Sequence, residues 1–516
     1  MEIVENRALK LKVRNPQRIT SVIPKSAIVG DNEVLVKWGL EEAQVLKNLG
    51  VKNVPSPINK DYQWPGLYKP FDHQRVTAAF LTMHRRAFCF SEQGTAKTGC
   101  VIWAADYLMK LGIIRRVLVL CPLSIMQSAW QSDLFHCAMH RSVTVAHHRN
   151  AQRRRELIRE GADFVILNYD GLEIVKDEII KDGRFDLIVA DEANYLKNVS
   201  TTRWKTAAKV IRPDSWVWLL TGTPAAQSPE DAYGLARIVN PAGVSKFLGA
   251  FKDTVMNKIT QFKWVPKPNA TETVHRVLQP AIRFTKDECL DLPEMTYVTR
   301  EVPLSKQQEK YYQQMRTEML MMAAGEEISA VNAAAKLTKL LQISAGSAYA
   351  DNKEVVDFDC RSRMNALKEV IDESSHKVLV FAPYRHSIFA VTQELKKSGY
   401  TVAVIDGSVP PGKRTETFNR FQTTPEPRIL VIQPQAASHG VTLHAANTIV
   451  WWSPVMSIET YLQANARVHR AGQKNKTTVV HLQGSSVERK VYRMLQDKVN
   501  IHEDLVGLYK EETRNE

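Results

Sequence analysis

The chain has 516 residues, 44% of them hydrophobic, enough for several packed domains at roughly 150 residues each, which excludes a disordered polymer. Lys and Arg outnumber Asp and Glu by 69 to 55, and the formal charge of +14 favours a polyanionic partner even though the excess is spread along the chain. The six cysteines (Cys89, Cys100, Cys121, Cys137, Cys289 and Cys360) stand singly, as reduced thiols do. The start MEIVENRALKLKVRN lacks a signal-type apolar core and no apolar run approaches about 18 residues, so a soluble cytoplasmic protein without a membrane partner is expected.

Residues 1–54 read as a small α/β appendage: LKLKVR and EVLVKW alternate, and EEAQVLKNLG has a helical pattern closed by Gly50. The proline-rich stretch 55–70 follows as a linker, so that 1–70 forms the first segment. From 71 to 245 the apolar runs VLVLCP, FVILNY, LIVADEA and WVWLLTGTP alternate with helical stretches, as strands buried in a parallel sheet do. Segment 246–350 is rich in Lys, Gln, Met and Ala, and 305–343 is mostly strong helix formers, which predicts a helical insertion. A second α/β series, KVLVFAPY, TVAVIDG, RILVIQP, TIVWWSP and TTVVHLQG, defines another lobe over 351–500, leaving 501–516 as a tail.

Four motifs carry chemistry. In FCFSEQGTAKTGCVIWAADYL an apolar strand enters a small-residue turn and then a helix. This geometry lets backbone N–H groups surround phosphate oxygens while Lys97 neutralises charge and Thr98 holds Mg²⁺. Ser91 and Ala96 occupy both glycine positions of the strict template and leave only Gly94, so a chance Lys-Thr at a helix start explains the turn equally well when it is taken alone. LIVADEAN ends a strand on Asp191-Glu192, where one carboxylate can hold a magnesium water shell and the next can deprotonate an attacking water. LLTGTP places Thr221 and Thr223 on a tight turn at another strand end. QANARVHRAGQ sets Arg467 and Arg470 three apart on one helical face, within reach of phosphates across a cleft; a surface basic helix is the ordinary alternative.

In this order the motifs resemble helicase superfamily two, specifically the Swi/Snf family, over about 71–500. The resemblance implies two RecA-like lobes, ATP with Mg²⁺, and a DNA partner, duplex or branched rather than RNA. It places adenine recognition on Phe71 and Gln74, the phosphate loop on Gly94, Thr95, Ala96, Lys97 and Thr98, and the magnesium motif on Asp191 and Glu192. CPLSIMQSAW and LNYDGL would contact the polymer track through Ser124 and Tyr169, joined by Thr223, Arg385 and Ser408. Gly440 belongs to the fifth motif, and Gln463, Arg467 and Arg470 to the sixth. Ala96, Ser438 and His439 depart from the family's small glycines, and Asn194 stands where many relatives have His.

The implied function is an ATP-dependent DNA translocase. Strand separation and an ATP-binding clamp with weak turnover remain alternatives. Three other features read as structural: the His136, Cys137, His140, His147 and His148 group lacks a further Cys or acidic ligand for zinc, Trp451-Trp452 suits a core, and Arg153, Arg154 and Arg155 suit a solvated face.

Overall fold

The computed structural model describes residues 1–222, 224–225, 228–260, 264–289, 293–325, 330–349, 355–437, 441–470 and 472–497. They divide into a first unit comprising 1–225 and 229–289 and a second comprising residue 228 and the described residues from 293 on.

The first unit opens with an antiparallel sheet of β1 (Glu2–Val4), β2 (Ala8–Lys12), β3 (Ser26–Gly30) and β4 (Glu33–Lys37), in the order β1-β2-β4-β3. Alternation in β2 and β4 turns Leu9, Leu11, Val34 and Val36 to one face, where they form a small core with Ile19, Ile23, Trp38 and Leu46. Helix Leu40–Asn48 ties this module onward: Gln44 Nε2 donates to Thr82 O at 2.8 Å and Lys47 Nζ to Met83 O at 2.9 Å.

The main sheet of this unit contains β5 (Arg86–Cys89), β6 (Arg116–Cys121), β7 (Val143–Val145), β8 (Phe164–Asn168), β9 (Phe185–Asp191) and β10 (Trp216–Leu220). After a short ribbon of β11 (Met256–Lys258) and β12 (Trp264–Pro266), β13 (Ala281–Ile282) completes it in the order β13-β5-β10-β9-β6-β8-β7. Every pairing is parallel. Both faces are covered, which is why the strands are continuous apolar runs, with β6 and β10 buried throughout.

In the second unit β14 (Met295–Glu301) is followed by a ribbon of β15 (Ser347–Tyr349) and β16 (Val355–Asp357), then β17 (Lys377–Phe381), β18 (Val402–Ile405), β19 (Ile429–Ile432), β20 (Ala446–Trp451) and β21 (Thr477–Gln483). Its six-stranded sheet runs β14-β21-β20-β17-β19-β18 and is parallel throughout. Two parallel sheets with covering helices are the two RecA-like lobes that the resemblance implies. A buried ion pair braces the second: Arg363 Nη2 meets Glu488 Oε2 at 2.7 Å, Arg363 also donates to the carbonyl of Trp452, and both side chains are almost fully enclosed.

Segment 246–350 is not the helical insertion that its composition predicts. Helices Leu248–Val255 and Ala270–Val277 pack Phe251, Val255, Ala270 and Val277 into the core of the first unit, and β13 and β14 are edge strands of the two main sheets. An edge strand needs no apolar run, and MTYVTRE in β14 is half-buried or exposed along its whole length. The expected helices do form, as Lys306–Gly325 and Ala330–Ala345. The tail 501–516 lies outside the described residues. Among those residues no helix is long and apolar enough to cross a membrane.

His481 on β21 is almost fully buried, with Nε2 2.8 Å from Tyr461 Oη and its ring stacked on Tyr492. Burial lowers its pKa to about 4. The unfolded chain therefore binds a proton that the folded chain rejects, and the stability contribution present above about pH 6.5 is lost as pH falls towards 4. About 2 kcal/mol of stability should disappear between pH 7 and pH 5 from this group alone. Chemical denaturation at the two pH values measures it, and His481→Gln should flatten the difference.

Candidate nucleotide site and polymer track

In a parallel sheet the chain leaves every strand at the same edge, and the predicted chemistry gathers there. Cys89 pairs with Leu220, which pairs with Asp191, so the loop after β5 and the acidic pair after β9 flank the end of β10. Two strand spacings put them roughly 10 Å apart. Thr221 N closes the arrangement by donating to Cys89 O at 3.1 Å.

The loop Ser91–Ala96 leads into helix Lys97–Lys110, whose first-turn N–H groups have no acceptor within the helix. Gly94 has φ +90°, and Ala96, despite its methyl group, takes the left-handed conformation at φ 55°, ψ 46°. The glycine-type bend is therefore made with alanine at a cost of about 1 kcal/mol. Lys97 Nζ donates to Ser91 O at 2.7 Å and Glu92 O at 3.0 Å, folding its ammonium over the loop. Thr98 is half-buried on the next position. An ammonium, orphan N–H groups and an adjacent hydroxyl form a donor set that fits a polyphosphate and its magnesium ion.

The loop is held from two sides that sequence inspection did not reveal. Gln74 accepts from Phe71 N at 2.9 Å and donates from Nε2 to Ala96 O at 2.9 Å, while His73 Nε2 lies 2.9 Å from Thr95 O. Phe71 remains about half exposed, with its ring near-parallel to that of His73. Beyond β13, Glu92 N donates to Phe284 O at 2.9 Å, Phe284 N to Ser91 Oγ at 3.2 Å and Lys286 N to Glu92 Oε2 at 3.2 Å. Ser91, which looked like a missing glycine, is an anchor. His73 was visible in PFDHQ, but nothing in one sequence links it to Thr95.

Asp191 is mostly buried, accepting from Glu192 N on Oδ1 at 3.0 Å and from Trp130 Nε1 on Oδ2 at 2.9 Å. Glu192 follows in the left-handed region at φ 53°, ψ 55°, which turns the chain sharply off the strand end. Tyr169, expected on the polymer track, is buried instead. Its hydroxyl donates to Asp191 O at 2.7 Å and its ring stacks on Tyr195, so it supports the acidic motif from within. Ser124 falls in the turn Leu123–Ile125, with its side chain outside the described set, and Thr223 lies outside the described residues.

On the second sheet Arg385 opens the helix after β17 and Ser408 follows β18, again at the carboxyl edge. Asp406 brings them together: Ser408 Oγ donates to its Oδ1 at 2.6 Å and Arg385 Nε lies 3.9 Å from Oδ2. The Ser408 hydroxyl, with Arg385 beside it, holds the Asp406 carboxyl below its usual range.

Helix Ile458–Asn465 carries Gln463, buried and donating to Glu459 Oε1 at 3.1 Å. Arg467 and Arg470 do not share a helical face as predicted, because the helix ends before them; Arg467 N donates back to Ala464 O at 3.1 Å and the chain turns. Arg467 is mostly buried, and Arg470 is half-buried with Nη1 3.3 Å from Val441 O. Gln473 braces the turn, donating from Nε2 to Ala446 O at 2.8 Å. Gly440, Ser438 and His439 lie outside the described residues.

The features left aside have structural partners. His136 Nδ1 contacts Ser132 O at 2.7 Å and His140 Nε2 contacts buried Asp106 at 2.9 Å. Arg153 pairs with Glu156 and Glu160, Arg155 with Glu178, and both tryptophans of the 451–452 pair are core.

The SNF2-related domain model matches residues 36–347, and the helicase conserved C-terminal domain model matches 362–472. The chain belongs to the SNF2-related family. Its relatives include a mouse chromodomain-helicase-DNA-binding protein 1-like, 25% identical over 88% of this chain and 53% of that one. Putative protein p41 of Acyrthosiphon pisum secondary endosymbiont phage 1 is 25% identical over 78% of this chain and 88% of its own length. An uncharacterized ATP-dependent helicase of Mycoplasma genitalium is 26% identical over 79% of this chain and 39% of that one. The chain thus spans about half or less of the mouse and Mycoplasma proteins. The Sulfolobus solfataricus SWI2/SNF2 ATPase core in complex with dsDNA aligns at 20% identity over 88% of this chain and 96% of that one, at a TM-score of 0.40 too low to add to the family assignment.

Family membership gives the loop strain a test. Ala96→Gly should leave the melting temperature nearly unchanged, because relief of about 1 kcal/mol of strain is offset by the larger entropy of the unfolded chain. It should also tighten binding of a fluorescent ATP analogue. Weaker binding would show that the methyl group contributes to the fit.

Proposed function

We propose that this protein is an ATP-dependent DNA translocase, hydrolysing ATP to move along duplex DNA and remodel DNA or protein–DNA complexes. The observation that carries the proposal is the common sheet edge holding the Lys97-Thr98 loop and Asp191-Glu192, with the loop braced by Gln74 and His73. SNF2-related and helicase C-terminal domains support the same assignment, as do relatives named for DNA binding and ATP-dependent helicase activity. Six free cysteines suit a reducing cytoplasm.

In this proposal Phe71 and Gln74 receive the adenine. The loop N–H groups and Lys97 hold the phosphates, with the ammonium exchanging its carbonyl partners Ser91 O and Glu92 O for phosphate oxygens. Glu192 takes a proton from water as that oxygen bonds to the γ-phosphorus and the bond to the β,γ-bridging oxygen breaks, releasing ADP and phosphate. A magnesium ion held through Thr98 and Asp191 supplies charge neutralisation on the phosphates. Arg467 and Arg470 stabilise charge developing on the transferred group, with Gln463 and Gly440 serving the same nucleotide. The polymer backbone is held by groups including Ser124, Thr223, Arg385 and Ser408, and affinity falls steeply with salt.

ATP hydrolysis measured without nucleic acid and with single-stranded, duplex and branched DNA and RNA tests the proposal. Strong stimulation by duplex or branched DNA is expected, abolished by Glu192→Gln. Arg467→Ala should lower turnover by about a thousandfold or more. No hydrolysis on any polymer, with ATP and DNA still bound, would make the protein a clamp instead.

A further inference from the structure

The segment CPLSIMQSAW, residues 121–130, is expected to contact the polymer, yet the side chain of Trp130 faces inward. After β6 the chain makes a short turn at Leu123–Ile125 and then a π-helical turn, Met126–Gln131, which is rare and frequent at functional sites. Trp130, on this turn, is fully buried, and its indole N–H donates to Asp191 Oδ2 at 2.9 Å. Asp191 Oδ1 accepts from Glu192 N at 3.0 Å, so each carboxylate oxygen has a donor, one from the acidic motif itself and one from the track segment.

We propose that Trp130 is a positioning residue for the magnesium carboxylate. Its indole N–H fixes the rotamer of Asp191 and joins the polymer-binding segment to the hydrolytic site through one hydrogen bond. This rests on the nucleotide function proposed above. A buried indole N–H requires an acceptor, and most sites would supply a carbonyl; here the acceptor is the carboxylate that serves the metal. A π-turn is wider than an α-turn, and strain or polymer contact that resets it to α-helical winding would withdraw the donor. Tyr169 provides the internal comparison, since its hydroxyl reaches the backbone oxygen of Asp191 and leaves the carboxylate untouched.

The test uses the full chain, a non-hydrolysable ATP analogue, and Mn²⁺ whose binding is read by electron paramagnetic resonance without turnover. Trp130→Phe keeps an aromatic ring and removes the donor. It should weaken Mn²⁺ binding in the analogue complex by about tenfold, the scale of a lost hydrogen bond to a charged group. Tyr169→Phe, which removes a bond to the backbone oxygen and leaves both carboxylate donors in place, should weaken Mn²⁺ binding clearly less than Trp130→Phe. In a double-mutant cycle with Asp191→Asn, the effect of Trp130→Phe on Mn²⁺ affinity should vanish. Equal Mn²⁺ affinity in wild type and Trp130→Phe overturns the inference and leaves the proposed function standing, whereas a wild-type protein that binds no metal–nucleotide complex overturns both. Should Trp130→Phe fail to fold, hydrogen exchange of 122–131 in the wild type decides: metal plus analogue should slow it more than analogue alone, and identical exchange rejects the inference.

Discussion

A parallel sheet covered on both faces leaves its chain ends as the only place for polar chemistry, and both lobes are organised by that constraint. Strands such as VLVLC and WVWLL are buried end to end. Functional groups accordingly appear at the strand ends or in the loops that leave them: Asp191 closes β9, the phosphate loop follows β5, and Asp406 follows β18. The hydrogen-bonding register, rather than any local motif, decides which of these ends are neighbours.

The apolar runs made the two lobes legible because a doubly covered strand has a simple signature. The same signature fails at sheet margins, where β13 has two residues and β14 alternates polar side chains, so segment 246–350 read as helix alone. Motif residues were legible by type, since phosphates demand cations and water activation demands a carboxylate. Their exposure was not. Tyr169 is aromatic and hydroxylated, which suits either a track or a core, and only packing against Tyr195 settles it. Arg467 and Arg470 have helical spacing, but spacing cannot reveal that the helix stops at Asn465.

The phosphate loop shows how substitution within a motif can be absorbed. Ala96 keeps the left-handed bend, and Ser91 exchanges flexibility for a hydrogen bond to Phe284 N. The loop is consequently gripped between the helix carrying Gln74 and the strand-like exit 281–286. What looked in the sequence like a weakened loop is a loop whose restraint has moved to neighbouring chain.

The second sheet has a consequence for biosynthesis. β14 pairs along its whole length with β21, and the side chains that meet there, such as Glu301 and Gln483, are 182 residues apart in sequence. On the ribosome β14 emerges long before β21, its sheet neighbour among the described residues, exposing an unpaired strand edge while most of the second lobe is still untranslated. Every described strand of the first lobe's main sheet has been made once β13 has been synthesised. Vectorial synthesis therefore delivers the nucleotide-loop sheet early and leaves the edge of β14 open to self-association until β21, the last described strand, has been made.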